Sequence, residues 1–388
     1  MPIKRSHPPE LLGVAEILDA LGIDCIANGD EPIPYLAIPG NSGPRWLIPA
    51  RSRASGQVLN AWRPYSISGQ AKWLAVRITA RAGILPFAGV VSSVEVSRAA
   101  SLRWFERCAI QSRSGEMIIL VGNPSPSRKL IAFLLDDAQG IAAVLKVGLT
   151  AEGGAKVIHE AEVLRKLEGH SWAPKVLSIH PDLGAAAQEY LPGALAVRRF
   201  QPEYLGLLCQ LPRSGNVSNL VNLAQTLVTT LSPYREEWDK VAPDLLNRSL
   251  NCLDLDIDLP TLLVHGDFAP WNIRITPHSG LALVDWESAN FAGLPGDDLL
   301  HFLFSNDRLF SGQRKGSPAL RARPLGNQYL RQMNLDEKLW PRLAIAYLLH
   351  QLKADHDQCD PDFAFYALCQ LAALVEATGP RACVRPTA

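Results

Sequence analysis

Residues 262–287 read LLVHGDFAPWNIRITPHSGLALVDWE, and no other stretch restricts the fold of this chain as tightly. An apolar run, Leu262-Leu263-Val264, breaks into His265-Gly266-Asp267, and Asn272 follows five residues after Asp267. After a turn at Pro277–Gly280 a second apolar run, Leu281–Val284, ends on Asp285. Short apolar runs bounded by turn residues read as buried strands. Two such strands, each ending on an acid and with an Asn between them, form the pattern from which phosphoryl transfer is assembled. Asp267 is placed to orient and deprotonate a hydroxyl, and Asn272 and Asp285 to hold magnesium against nucleotide phosphates. A lone H-x-D would mean only turn aspartates after ordinary strands. The complete spacing, with an apolar strand ahead of both acids, argues against that reading.

This pattern resembles the catalytic loop and metal-binding strand of the kinase-like small-molecule phosphotransferases, the aminoglycoside phosphotransferase and choline kinase family. Protein kinases carry H-R-D-x-x-x-x-N and then D-F-G. Here Gly266 stands for the Arg and Trp286-Glu287 for Phe-Gly, as in the small-molecule enzymes. The resemblance extends over residues 111–380 and implies an α+β, protein-kinase-like fold of two lobes. The expected N-lobe (106–190) is an antiparallel sheet plus one helix that binds nucleotide; the expected C-lobe (191–388) is mostly helical and carries the catalytic loop, metal and acceptor sites. Residues 1–105 are expected as a small α/β accessory segment. Its Arg45, Arg51, Arg53 and Arg63 read as a solvated basic surface rather than an anion site.

Upstream, three apolar runs (EMIILVGN, KLIAFLLD, IAAVLKVG) read as consecutive strands. Lys146 lies inside the third, where a lysine must either extend to water or meet a counter-charge. The helix expected over Gly154–Leu167 offers Glu160, which falls inside its apolar arc. A lysine held by a helix acid is the arrangement that orients α- and β-phosphates. The resemblance also selects Glu160, and implies that the 122–127 turn covers the phosphates through Ser125 and Ser127, although this turn is no G-x-G-x-x-G. It further implies a purine-binding hinge at Gln188–Tyr190, including Glu189, and a structural Asp298 that braces the catalytic loop. His265 reads as a catalytic-loop residue that fixes backbone, and Glu287 as a contact either to a cationic or polyhydroxy acceptor or to neighbouring backbone.

Elsewhere the periodicity predicts helices over 9–21, 68–82, 217–231, within 234–258, 340–352 and 363–377, a strand from Trp172, and a Gly/Pro/Ser-rich loop over 311–327. A balance of 38 Lys plus Arg against 38 Asp plus Glu gives no field for nucleic acid or a membrane surface. Seven scattered cysteines without a C-x-x-C pair argue for reduced thiols. The first residues lack a signal-peptide core, and the apolar stretch 82–94 is too short to span a bilayer, so a cytoplasmic protein is expected. The expected activity is ATP- or GTP-dependent, Mg²⁺-dependent phosphorylation of a hydroxyl on a small metabolite or antibiotic-like acceptor. A catalytically silent nucleotide-binding scaffold, acting through its N-terminal segment, is the alternative. Protein kinase activity is disfavoured by Gly266 and by the missing A-P-E segment.

Overall fold

A computed structural model describes residues 13–23, 31–40, 43–50, 67–81, 92–277, 280–310, 316–358 and 361–378. The chain divides into two compact units, Met1–Leu195 with Arg274–Glu287, and Ala196–Ile273 with Ser288–Ala388. The fold is α+β, with a large antiparallel sheet and helices.

The first unit is built on eight strands in the order β3-β1-β2-β4-β5-β6-β8-β7. Their ranges are β1 Pro32–Gly40, β2 Gly43–Pro49, β3 Ser92–Ser97, β4 Met117–Val121, β5 Lys129–Leu135, β6 Ile141–Gly148, β7 Val176–His180 and β8 Ala185–Glu189. Side chains alternate across a strand, and both faces of this sheet are apolar. On one face Tyr35, Leu47, Met117, Ile119, Leu130 and Leu145 pack with Ile17 and Leu18 of α1 (Val14–Ala20) and Trp104 and Phe105 of α3 (Arg98–Arg107). On the other, Ile38, Trp46, Ile118, Leu120 and Phe133 pack with Trp73 and Val76 of α2 (Ile67–Arg81). Strands β1–β3 of the 1–105 segment therefore share a sheet with the strands after them, joined where Trp46 of β2 pairs with Leu120 of β4. All five residues of β4 are buried, which suits a strand enclosed on both faces.

Helix α4 (Ala151–Lys166) follows β6; Thr150 caps it by accepting from the Gly153 amide at 2.9 Å. The helix approaches the sheet at glycines. A Cβ on Gly148 would lie 2.0 Å from the Gly154 nitrogen, and one on Gly184 2.9 Å from the Gly154 Cα. Three smaller strands complete this unit's second sheet: β9 Ala194–Leu195, β12 Ile273–Thr276 and β13 Gly280–Leu283, in the order β13-β12-β9.

The second unit has a three-stranded antiparallel sheet, β10 (Arg213–Asn219), β11 (Asp258–Val264) and β14 (Asn290–Gly293), with β11 central. Its helices are α5 Pro202–Leu208, α6 Leu220–Leu231, α7 Arg235–Val241, α8 Leu245–Asn251, α9 Asp297–Phe310, α10 Pro318–Arg321, α11 Arg323–Gln332, α12 Trp340–Gln358 and α13 Pro361–Thr378. No helix among the described residues is long and apolar enough to cross a membrane.

Five local expectations need correction. The helix expected from Val217 starts at Leu220, because Asn219 caps it through the Val221 amide while Val217 pairs with Pro260 as strand. The expected helical stretch 234–258 is α7 and α8, broken at Asp244 with φ 57°. The strand expected from Trp172 begins at Val176. The loop expected over 311–327 is helical from Pro318 onward: both prolines sit in first turns, Arg321 is tied to Asp307, and Gly326 lies against the Trp340 ring. Residues 311–315 lie outside the described residues, as do Arg51, Arg53 and Arg63. Arg45 is half-buried rather than solvated, donating from Nη1 to the Val121 carbonyl and, at 3.0 Å, to Asn123 Oδ1 beside the β4–β5 turn.

Candidate active site

In the first unit the register of two strands gathers a charge cluster. Ile131 of β5 lies opposite Lys146 of β6, and Lys129 lies opposite Gly148. Residues two apart share a face, so Lys129 and Lys146 project from the same side of the sheet as diagonal neighbours. Lys146 Nζ donates at 2.7 Å to both Glu160 oxygens and at 2.7 Å to Asp285 Oδ1. Lys129 Nζ donates to the same Asp285 oxygen at 2.8 Å and to Glu287 Oε2. Glu160, buried in α4, also accepts the Trp286 amide at 3.1 Å, and the Trp286 ring packs on Trp172 with centroids 5.7 Å apart. Trp in place of the kinase Phe thus fixes the strand end from both its backbone and its ring.

The cluster carries two cations against three carboxylates, mostly withdrawn from water. Burial by itself would raise Asp285, but the Lys146 and Lys129 ammoniums outweigh it and hold the carboxyl far below the usual range. Burial would likewise lower Lys129, yet Asp285, Glu160 and Glu287 together push it above the ordinary lysine value. Asp285 has φ 71°, a left-handed conformation that Asp tolerates better than most residues. Both lysines occupy its Oδ1.

In the second unit the loop carrying His265, Gly266 and Asp267 is held from below by α9. Asp298 accepts the His265 amide at 2.8 Å through Oδ2 and the Gly266 amide at 3.0 Å through Oδ1. Gly266 has φ 78°, and a Cβ there would sit 2.2 Å from the Ser288 carbonyl oxygen, so the arginine of protein kinases has no room at this position. The buried His265 ring accepts the Asp267 amide at 3.3 Å through Nδ1. Asn272 spends its amide nitrogen on Asp267, at 2.8 Å to Oδ2 and 2.9 Å to the carbonyl. Trp271 Nε1 adds a longer bond to the same Oδ2 at 3.3 Å, and His301 Nε2 meets Oδ1 at 3.0 Å. Asp297 is pushed up to about 7 by burial and, more weakly, by Asp298 beside it, against the opposing Leu294 amide and His301.

Asn272, in the second unit, and Asp285, in the first, are each of a ligand type suited to magnesium. Both offer oxygen, which that hard cation prefers, and each keeps one oxygen clear of the bonds described: Asn272 its Oδ1, Asp285 its Oδ2. The remaining expected residues are more plainly placed. Ser125 is exposed and Ser127 half-exposed in the β4–β5 turn, where the Ser125 carbonyl accepts the Arg128 amide at 3.1 Å. The Glu189 amide is spent on the Lys175 carbonyl at 2.8 Å, and the Tyr190 ring meets Phe133 edge-on at 6.5 Å. Glu287 Oε2 accepts from Lys129 Nζ. Lys129 and His301 escaped sequence reasoning. Lys129 reads as the polar start of a strand until the β5–β6 register is known. His301 carried a signal, since it follows Asp298 by three residues and so shares its helix face.

A family model described as the phosphotransferase enzyme family matches residues 131–345, more than half of the chain. No curated protein matches the sequence. Among solved structures, a putative aminoglycoside phosphotransferase from Ralstonia eutropha JMP134 is 14% identical over 72% of this chain and 98% of its own, with a TM-score of 0.50. The macrolide 2'-phosphotransferase of Brachybacterium faecium is 18% identical over 75% of this chain and 99% of its own, with a TM-score of 0.45. A thermostable mutant of the aminoglycoside phosphotransferase APH(4)-Ia, solved with ADP and hygromycin B, is 16% identical over 72% of this chain and 98% of its own, with a TM-score of 0.45. At such identities a structural likeness speaks for the fold alone. The family match stands on the sequence itself: this chain belongs to the phosphotransferase enzyme family.

Proposed function

We propose that this phosphotransferase moves the γ-phosphate of ATP or GTP, with Mg²⁺, to a hydroxyl group of a small molecule in the cytoplasm. The observation that carries the proposal is Lys146 held between Glu160 and Asp285. A lysine 5% exposed and fixed by two carboxylates is a rigid point charge, suited to phosphate oxygens and costly to bury for any lesser purpose. On this reading Lys146 binds the α- and β-phosphates and Glu160 sets its position. Asn272 and Asp285 would hold the magnesium, whose chemistry is to neutralise charge on the phosphates. Asp267 aligns the acceptor hydroxyl: as its oxygen bonds to the γ-phosphorus and the bridging oxygen leaves with the nucleoside diphosphate, the hydroxyl proton passes to the carboxylate. The transition state is loose in most accounts, so alignment and charge neutralisation matter more than basicity. Residues 106–190 serve nucleotide binding and 191–388 the catalytic loop and acceptor, the roles expected from the pattern of motifs.

Asp267→Ala should lower turnover of Mg·ATP or Mg·GTP by roughly 10²–10⁴-fold, the usual size of a positioned general base. The measurement is phosphate transfer to panels of sugars, amino alcohols and aminoglycosides. Equal turnover by the wild type and by Asp267→Ala would remove the enzyme reading.

A further inference from the structure

Helix α9 supports the catalytic loop at more than one level. Asp298 holds the backbone of His265 and Gly266; one turn further on, His301 reaches the Asp267 side chain, Nε2 to Oδ1 at 3.0 Å. The far side of the imidazole is also engaged, with Tyr347 of α12 meeting His301 Nδ1 at 3.0 Å through its hydroxyl. Another turn along α9, Phe304 stacks on the Tyr347 ring at 5.6 Å and 9° between planes. Residues 298, 301 and 304 lie on one helix face by their spacing of three.

The chemistry of the three groups orders the protons. A carboxylate only accepts, so Nε2 must carry a hydrogen and donate it to Asp267; Nδ1 is then free to accept from the Tyr347 hydroxyl. The same counting locates the incoming hydroxyl. A carboxylate oxygen accepts about two hydrogen bonds. Oδ2 already has Asn272 and Trp271, whereas Oδ1 has His301 and room for one more. We propose that His301, oriented by Tyr347, is a positioning residue that presents Oδ1 of Asp267 to the acceptor hydroxyl. This rests on the reading of Asp267 given above. A donor on Oδ1 also makes that oxygen a weaker base, so the two effects oppose. In a loose transition state alignment outweighs basicity, and losing the histidine should slow the reaction.

The test uses the full chain, Mg·ATP hydrolysis with water as acceptor, and ¹⁵N-histidine spectra. His301→Leu should lower kcat about 10- to 100-fold, less than the roughly 10²–10³ of a lost direct transition-state donor because His301 acts through Asp267, with the KM for ATP changed less than about twofold. His301→Gln, whose amide nitrogen can replace Nε2–H, should recover most of the loss. Tyr347→Phe should cost about threefold, a fraction of one hydrogen bond. The wild-type His301 ring should appear as the Nε2–H tautomer and become mixed in Tyr347→Phe. Unchanged or raised kcat in His301→Leu, a Gln variant no better than Leu, or an Nδ1–H ring would each overturn the proposal. Asp267→Asn separates the two levels. If it leaves hydrolysis unchanged, the reading of Asp267 fails, while the ring spectrum still reports whether the chain of hydrogen bonds exists.

Discussion

At the scale of single residues, Asp285 is the acid on which the first unit's cations converge. Lys146 and Lys129 share one of its oxygens, and each has a second acid of its own, Glu160 and Glu287. A carboxylate facing two ammoniums is strongly held in place, and each lysine is neutralised without needing water. Breaking one link should therefore strand a charge. Lys129→Met, which leaves Glu287 without its cation, should cost on the order of 2 kcal/mol of stability, below the full figure for a deeply buried pair because both groups keep some exposure. Glu287→Gln in the same background should recover part of that loss. Denaturant melts of the two single variants and the double variant would show it, and strictly additive losses would mean the pair is not coupled.

At the scale of elements, α9 combines a brace with a pH-sensitive start. Its first residue, Asp297, is pushed up to about 7 by burial, with its neighbour Asp298 adding to the effect. A carboxyl raised above its unfolded value binds its proton more tightly in the folded protein. Its contribution is then fully present below the ordinary carboxylate range and is lost as pH rises through about 7. Asp297→Asn removes the charge while keeping an oxygen for the Leu294 amide, which Asp297 Oδ2 accepts at 2.8 Å. The variant should melt within about 1 °C of wild type at acid pH and a few degrees higher above neutrality, on the order of 1–2 kcal/mol. Scanning calorimetry on both sides of neutrality checks the sign, and an advantage that shrinks with rising pH would contradict it. Helix α4 shows the opposite kind of constraint, steric rather than electrostatic. Gly148, Gly154 and Gly184 let it close onto the sheet, and that approach carries Glu160 to Lys146.

At the scale of the whole molecule, the described elements before residue 105 are structural partners of the first unit's sheet. Strand β2 covers the edge of β4, and α1 and α3 cover one face with Ile17, Leu18, Trp104 and Phe105. Each such large apolar side chain contributes about 1.5–3 kcal/mol when fully buried. Removing residues 1–105 would uncover both an unpaired strand edge and an apolar face, the two features that promote aggregation. A 106–388 chain should be insoluble or aggregate on purification, even though it keeps every residue of the proposed chemistry. Recovery of a monodisperse, cooperatively melting 106–388 protein by gel filtration and calorimetry would contradict this.

The fold class and the phosphotransferase family were both legible in the local pattern of the chain. The acids after β11 and β13, Asn272 between them and the lysine in β6 are all tied to local signals: apolar runs, turn residues and spacing within a few positions. Glu160 was also legible, since a helix wheel places it among apolar residues that have to face inward. Features that depend on strand register or distant packing were not legible there. Lys129 joins the cluster because β5 and β6 align Ile131 with Lys146. His301 reaches Asp267 because α9 docks beneath the loop, and the β2–β4 pairing turns an expected accessory segment into part of a sheet. Periodicity encodes which face of an element is buried. It carries no record of which other element that face will meet, because that choice is made by long-range pairing among many apolar surfaces of similar chemistry.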